Sequence, residues 1–446
     1  MPEILTLLQC LKPLLSGTSV RQLSRIAIAM LAMTGRVTML GISRWTGKGG
    51  SYRTVQRLFH TVLPWTTLLW VFFRQHLWDA NQAYLLAGDE VVVTKAGKKT
   101  YGLDRFFSSL YGKSVSGLSF FALSLVSIEQ RRSYPISIQQ VVNSQEQKVQ
   151  KGADNSLPPL EKRRPGRPKG SKTKNKTEVN LTPELLRIQA MIATLLELLG
   201  CLVPLTYLVL DGHFGNHNAL EMTRQINLHL ISKLRCDSAL YLPYHHPDSS
   251  LRCRRKYGDK LDYRRLPSSS LKNSTVEGHI QTDIYQIQLL HQEFAHALNV
   301  VILLKTNLRT QACTHVILFT SDLELSYDKL IDYYSLRFQI EFNFRDAKQF
   351  WGLEDFMTVH PTAVTNAANL SFFMVNLSHH LLGQFHAANP RFGIVDLKAY
   401  CRGHKYVDET IKLLPQKPEP VLLAQIFQQI SCLGRVHRAS PCVNPA

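Results

Sequence analysis

Acidic residues are scarce in this sequence: 33 Asp and Glu stand against 52 Lys and Arg, for a formal net charge of +19. Such an excess suits a polyanionic partner, because each phosphate neutralised by Lys or Arg releases condensed counterions. Nucleic acid is the first candidate and an acidic membrane surface the second. Paired cysteines are also missing. The eight cysteines, Cys10, Cys201, Cys236, Cys253, Cys313, Cys401, Cys432 and Cys442, are scattered without a C-x-x-C pair. This argues against a zinc ribbon or a disulfide scaffold and fits a reducing cytoplasm. No long apolar run is free of charge or of a breaker. The longest, Met191 to Leu210, carries Glu197, Gly200 and Pro204, so it reads as a helix followed by a strand and no membrane span is expected. The opening MPEILTLLQCLKPLLSG has neither a basic start nor a small-residue cleavage site, so no export signal is expected either. The doublets His245-His246 and His379-His380 read as ordinary histidines, since adjacent side chains point apart on a helix or a strand.

At 446 residues several domains are expected. Residues 1–80 read as helical, broken at TGKGG (46–50). Behind the break Ser51 is placed to cap a helix that presents Arg53 and Arg57, a basic helix of DNA-reading type. From Tyr84 the texture becomes strand-like in AYLLAGDEVVVTKAG and GLSFFALSLVSIE, so the first sheet segment is set at 81–142. Residues 143–182 are polar and basic, a composition that buries too little apolar surface to fold alone. Within them RRPGRPKG (163–170) resembles an AT-hook, whose Gly-Arg-Pro core lies extended in a narrow minor groove, with Arg167 deepest and Arg164 and Lys169 flanking. Residues 183–235 resume α/β alternation with a helix Pro183–Leu199, then LTYLVLDGHFGN and NLHLISKLR. Residues 236–321 form short alternating runs and read as a β-rich insertion. Residues 322–385 return to helix, and 386–446 read as a C-terminal helical region.

Three carboxylates stand out. Asp89 follows YLLAG and Asp211 follows TYLVL, each at the end of an apolar run, where α/β sheets gather their ligands. The third, Glu341, lies in LIDYYSLRFQIEFNFRDAKQFWG (330–352). On a single helix Tyr334, Arg337, Glu341 and Lys348 fall within an arc of about 60°. Leu336, Ile340, Phe344, Ala347 and Trp351 gather on another side as an apolar strip. A solvated Arg337–Glu341 ion pair is the plain alternative. Three carboxylates without His or Cys describe a hard-oxygen site for Mg²⁺ or Mn²⁺. Two such ions, about 3.5–4 Å apart, suit phosphodiester chemistry. Arg337, Lys348 and the phenol of Tyr334 suit a phosphate backbone along the same face, with Arg345 nearby.

Tyr334-x2-Arg337-x3-Glu341-x6-Lys348 resembles the Y-R-E-K signature of bacterial insertion-sequence transposases of the RNase H-like DDE type. GDEVVVTKAGKKTYGLDRFFSS and LVLDGHFGN are similar to the segments that carry that family's first and second aspartates. The resemblance covers about residues 30–385. It implies an α/β fold: an RNase H-like mixed-sheet core (81–142, 183–235 and 322–385) with a β-rich insertion at 236–321 and helical regions at both ends. It implies Asp89, Asp211 and Glu341 as the metal-binding triad for two Mg²⁺ ions, Mn²⁺ being possible, with Tyr334, Arg337 and Lys348 gripping DNA. The expected activity is cut-and-paste transposition on double-stranded DNA, at inverted-repeat ends and target. A homodimer would pair the ends, in a bacterial cytoplasm beside the nucleoid. The alternatives are a non-catalytic DNA-binding protein derived from a transposase and a structure-specific nuclease. Glu90 and Asp104, close to Asp89 in sequence, leave the first ligand the least defined of the three.

Overall fold

The computed structural model of the chain describes residues 3–47, 49–108, 111–142, 176–244 and 256–437. The N-terminal helices are α1 (Ile4–Leu7), α2 (Gly17–Ala32), α3 (Met39–Thr46), α4 (Tyr52–His60) and α5 (Trp65–His76). Ser16 caps α2 by accepting from the Ser19 N–H, and Val20, Leu23, Ala27, Met30 and Leu31 recur at helical spacing on its buried face. Gly47, at φ +67°, ends α3, a backbone setting that glycine meets without steric cost. Ser51 does precede α4, but its hydroxyl meets that of Thr54 at 3.1 Å instead of capping an N–H. Val55, Leu58 and Phe59 are buried beneath α4, and Arg53 and Arg57 are exposed.

The sheet begins with β1 (Tyr84–Thr94), β2 (Asp104–Ser108), β3 (Lys113–Ser127) and β4 (Arg132–Val141). Next come α6 (Pro183–Leu199), β5 (Tyr207–Val209), α7 (His217–Gln225) and β6 (His229–Leu234). The bounds of α6 follow from its sequence: Thr182 accepts from Leu185 N–H, Pro183 stands in the first turn, and Gly200 takes φ +53° at the far end. The strands β7 (Leu240–Pro243), β8 (Tyr257–Lys260), β9 (Leu271–Glu277), β10 (Ile280–His291), β11 (Leu298–Asn307) and β12 (Cys313–Thr320) follow. One sheet of 12 strands runs β2-β3-β1-β5-β6-β12-β11-β10-β7-β8, with β4 on β3 and β9 on β10. β1, β5 and β6 are mutually parallel and β12 joins β6 antiparallel, so the strands of 236–321 continue the sheet that carries Asp89 and Asp211.

The helices α8 (Tyr327–Leu336), α9 (Gln339–Gln349), α10 (Pro361–His386), α11 (Ile394–Ile411) and α12 (Pro420–Ile430) complete the chain. A single helix over 330–352 is not what forms. The chain tightens at Arg337–Phe338, where the N–H groups of Arg337, Phe338, Ile340 and Glu341 bond carbonyls three residues back, at 3.3, 3.1, 3.0 and 3.1 Å. The physical reason lies in the core. Leu330 and Leu336 pack with Leu85, Ala87 and Val209, whereas Ile340, Phe344, Ala347 and Trp351 pack with Leu86, Phe121 and Phe372 in a separate cluster. One straight rod cannot serve both. The break turns α8 toward β6, β11 and β12, and α9 toward β1, β4 and α10. All five residues of the expected apolar strip are buried.

Candidate active site

The register of β1 and β5 pairs Leu86 with Leu208 and Ala87 with Val209. Asp89 and Asp211 therefore each stand two residues past a paired position. Asp211 lies just beyond the carboxyl end of β5, whereas Asp89, expected to end its strand, sits within β1, which runs on to Thr94 because it stays paired with β3 beyond the short β5. Asp211 opens a short 3₁₀ turn, accepting from His213 N–H at 3.1 Å, while its own carbonyl accepts from the Ser232 hydroxyl on β6 at 2.7 Å. The Asp89 carboxylate accepts from the Glu90 N–H at 2.8 Å on one oxygen and from Arg337 Nη1 on the other. Arg337 Nη2 lies 3.8 Å from Glu341 Oε1. The break between α8 and α9 thus sets a guanidinium between two carboxylates drawn from β1 and α9.

Arg337 and Asp89 side chains are 16% and 18% exposed, Glu341 45%. Burial pushes the Asp89 carboxyl up to about 6; the charges of Asp211 and Glu341 push the same way, against the Arg337 guanidinium and the Glu90 N–H. Burial also raises the Tyr334 phenol, with Asp211 and Asp89 adding to it and Arg337 opposing. Tyr334, Arg337 and Asp211 line one cleft of about 570 Å³. Four members of the expected set, Asp89, Asp211, Tyr334 and Arg337, thus lie together, with Glu341 at the edge.

The neighbours of Asp89 stand elsewhere. Glu90 takes the hydroxyl of Ser119 on β3, and Asp104 sits on β2 opposite Gly117, level with Thr94. Lys348 donates to the Val92 carbonyl at 2.9 Å and lies 3.6 Å from Glu354, so it pins α9 to β1. Arg345 bonds Asp346 at 2.9 Å and covers the Phe342 ring at 4.9 Å; it does not join the acids. Arg53 and Arg57 belong to α4, which packs on α2, α3 and α10. Arg164, Arg167 and Lys169 lie outside the described residues. Sequence reasoning passed over Lys233, Arg235 and His315, which line the same cleft as Asp211. The signal was the basic SKLR at the end of β6, the strand parallel to the one that presents Asp211.

Among the described residues no three His, Cys, Asp or Glu side chains cluster closely enough to hold an ion. The groups that meet at Arg337, the carboxylates of Asp89 and Glu341 and the phenol of Tyr334, nonetheless all offer oxygen, the chemistry a hard divalent cation takes. Asp89 is desolvated, with the charges of Asp211 and Glu341 beside it and Arg337 bonded to its carboxylate, so the set fits a further cation.

Residues 7–294, more than half of the chain, match the family model described as DDE superfamily endonuclease. The matched span includes β1 with Asp89 and the end of β5 with Asp211, and stops before α8 and α9. No curated protein matches the chain. The mixed sheet with helices at both ends is the RNase H-like α/β architecture of that superfamily, whose endonucleases act on DNA and generally use divalent metals. No helix among the described residues is long and apolar enough to cross a membrane.

Proposed function

We propose, since the chain belongs to the DDE superfamily of endonucleases, that it is the cut-and-paste transposase of a bacterial insertion sequence, cleaving the element's inverted-repeat ends and joining them to target DNA. The observation that carries this is the meeting of Asp89 on β1 and Asp211 just past the neighbouring parallel β5 with Arg337 and, through it, Glu341. Asp89, Asp211 and Glu341 would hold two Mg²⁺ or Mn²⁺ ions. Ions bound there supply activation of a water or a 3′-hydroxyl and stabilisation of the departing oxygen, in one displacement at phosphorus for cleavage and another for joining. Arg337 would exchange part of its grip on Asp89 for a phosphate oxygen, since its fork presents several donors and its Nε has no partner among the described residues. Tyr334 stays protonated because its phenol is pushed up, and so keeps an O–H to donate to the same phosphate. Lys348 holds α9 against β1 and adds positive charge beside the strand. Pairing two ends requires two copies of the site, hence a homodimer at work.

The test is a cleavage assay on the DNA that flanks the reading frame, with Mg²⁺, comparing wild type with Glu341→Gln. Wild type should release ends bearing 3′-OH that join a second DNA, and the variant should release none. Cleavage without joining would reduce the activity to that of a nuclease. Binding without cleavage by both proteins would make the chain a DNA-binding protein.

A further inference from the structure

The cleft that holds Asp211 does not end there. Cys236, Asp237 and His315 form its far wall and also line a second recess of about 820 Å³, which continues along Lys260, Tyr263 and Arg264. The two form one trough, running from the carboxyl ends of β5 and β6 across β12 to the end of β8. Its cations are Arg337, Lys233 and Arg235 in the first part and Lys260 and Arg264 in the second. Among the described residues Lys233, Lys260 and Arg264 have no side-chain hydrogen bond or ion pair, whereas the acids in the trough are engaged. Asp237 takes both of its bonds from Arg235, at 3.0 and 3.1 Å, and Asp262 accepts the Arg264 N–H at 2.9 Å.

The wall between the two parts is fixed in place. Tyr263 and His315 stack with centroids 4.5 Å apart at 15°. The Tyr263 hydroxyl donates to the Ser238 carbonyl at 2.5 Å, and His315 Nε2 lies 2.9 Å from the Cys236 carbonyl. A wall ordered before any ligand arrives spares the cost of ordering it on binding. Unpaired cations along an open trough of this kind suit a chain of phosphates better than a compact anion, for which they would converge on one point.

We propose that this trough is a track for the DNA backbone leading away from the phosphate at Asp211, with Lys260 and Arg264 contacting phosphates several nucleotides from the reacting one. The proposal rests on the DNA-cleaving function above and adds a binding site to it. Its test uses the full chain and a short duplex from the DNA flanking the reading frame, with affinity measured across a salt series. Wild type is compared with Lys260→Gln/Arg264→Gln and with Lys272→Gln/Lys417→Gln, which removes the same charge from exposed positions on β9 and before α12. Each phosphate contact adds roughly 0.7–0.9 to the slope of log affinity against log salt. The trough variant should therefore lose about 1.4–1.8 of that slope, and the control variant little. Equal slopes for the two variants, with wild type binding normally, would overturn the track and leave the function standing. A wild type that fails to bind the duplex would overturn both.

Discussion

Asp89 is where the sequence left most open and the geometry narrows most. Asp89, Glu90 and Asp104 are all acids within one stretch, and composition alone ranks none above the others. Alternation along a strand separates the first two, because successive side chains leave opposite faces. Asp89 meets Arg337, and Glu90 meets Ser119. The pairing of β1 with β5, which no local pattern encodes, then brings Asp89 beside Asp211. Asp89→Asn keeps the shape of the side chain and removes its charge. Cleavage by this variant is expected to fall below detection in the Mg²⁺ assay, while its affinity for the same DNA stays within a few-fold of wild type. An Asp89→Asn protein that still cuts would move the first carboxylate to Glu90 or Asp104.

Elements were legible where their punctuation is local. The helix Pro183–Leu199 carries its own start and stop in Thr182, Pro183 and Gly200, and forms over those residues. The break at Arg337–Phe338 was not legible, because what imposes it is the division of the core between two sheet faces, known only once β1, β5 and β6 are paired. α10 shows the same dependence in its chemistry. His379 lies half-buried on it, against the edge of Tyr134, with an inaccessible Nδ1 that has no partner among the described residues. Burial holds its imidazole down to about 3, with the charges of Arg132 and His386 adding to the effect. The native ring therefore stays neutral between about pH 6.5 and 3, while the unfolded ring takes a proton below about 6.5. Stability through this group is full above that range and falls with acid, by about 1.4 kcal/mol per pH unit. His379→Phe removes the dependence. Urea midpoints at a series of pH values should show the variant gaining on wild type as pH drops below about 6, and a constant difference would mean that His379 is protonated in the native state.

At the scale of the whole molecule, the N-terminal helices and the sheet are joined by the loop that follows α9, and nothing in the sequence announces it. Asp355 accepts the Val37 N–H at 2.8 Å and faces Arg36 Nε at 3.4 Å, across 318 positions of chain. Gly352, at φ +79°, lets the loop approach so closely that a Cβ there would fall 2.3 Å from that of Val37. From the other side Lys95, 6% exposed at the end of β1, donates to the carbonyls of Glu354 and Phe356 at 2.7 and 2.8 Å. Lys348 reaches Glu354 from α9. One short loop thus ties together the chain between α2 and α3, the strand that presents Asp89 and the helix that presents Glu341. Asp355→Ala strips the Val37 N–H of its acceptor and is expected to cost about 1–3 kcal/mol of unfolding free energy, because a part-buried donor is left unmade. Asp355→Asn keeps an acceptor oxygen and should lose less. In the alanine variant protease cleavage should begin in the 33–38 segment before the sheet opens. If both variants unfold with wild type and resist protease equally, the N-terminal helices are held by their apolar contacts with α10 and α11, and the loop serves only to seat α9.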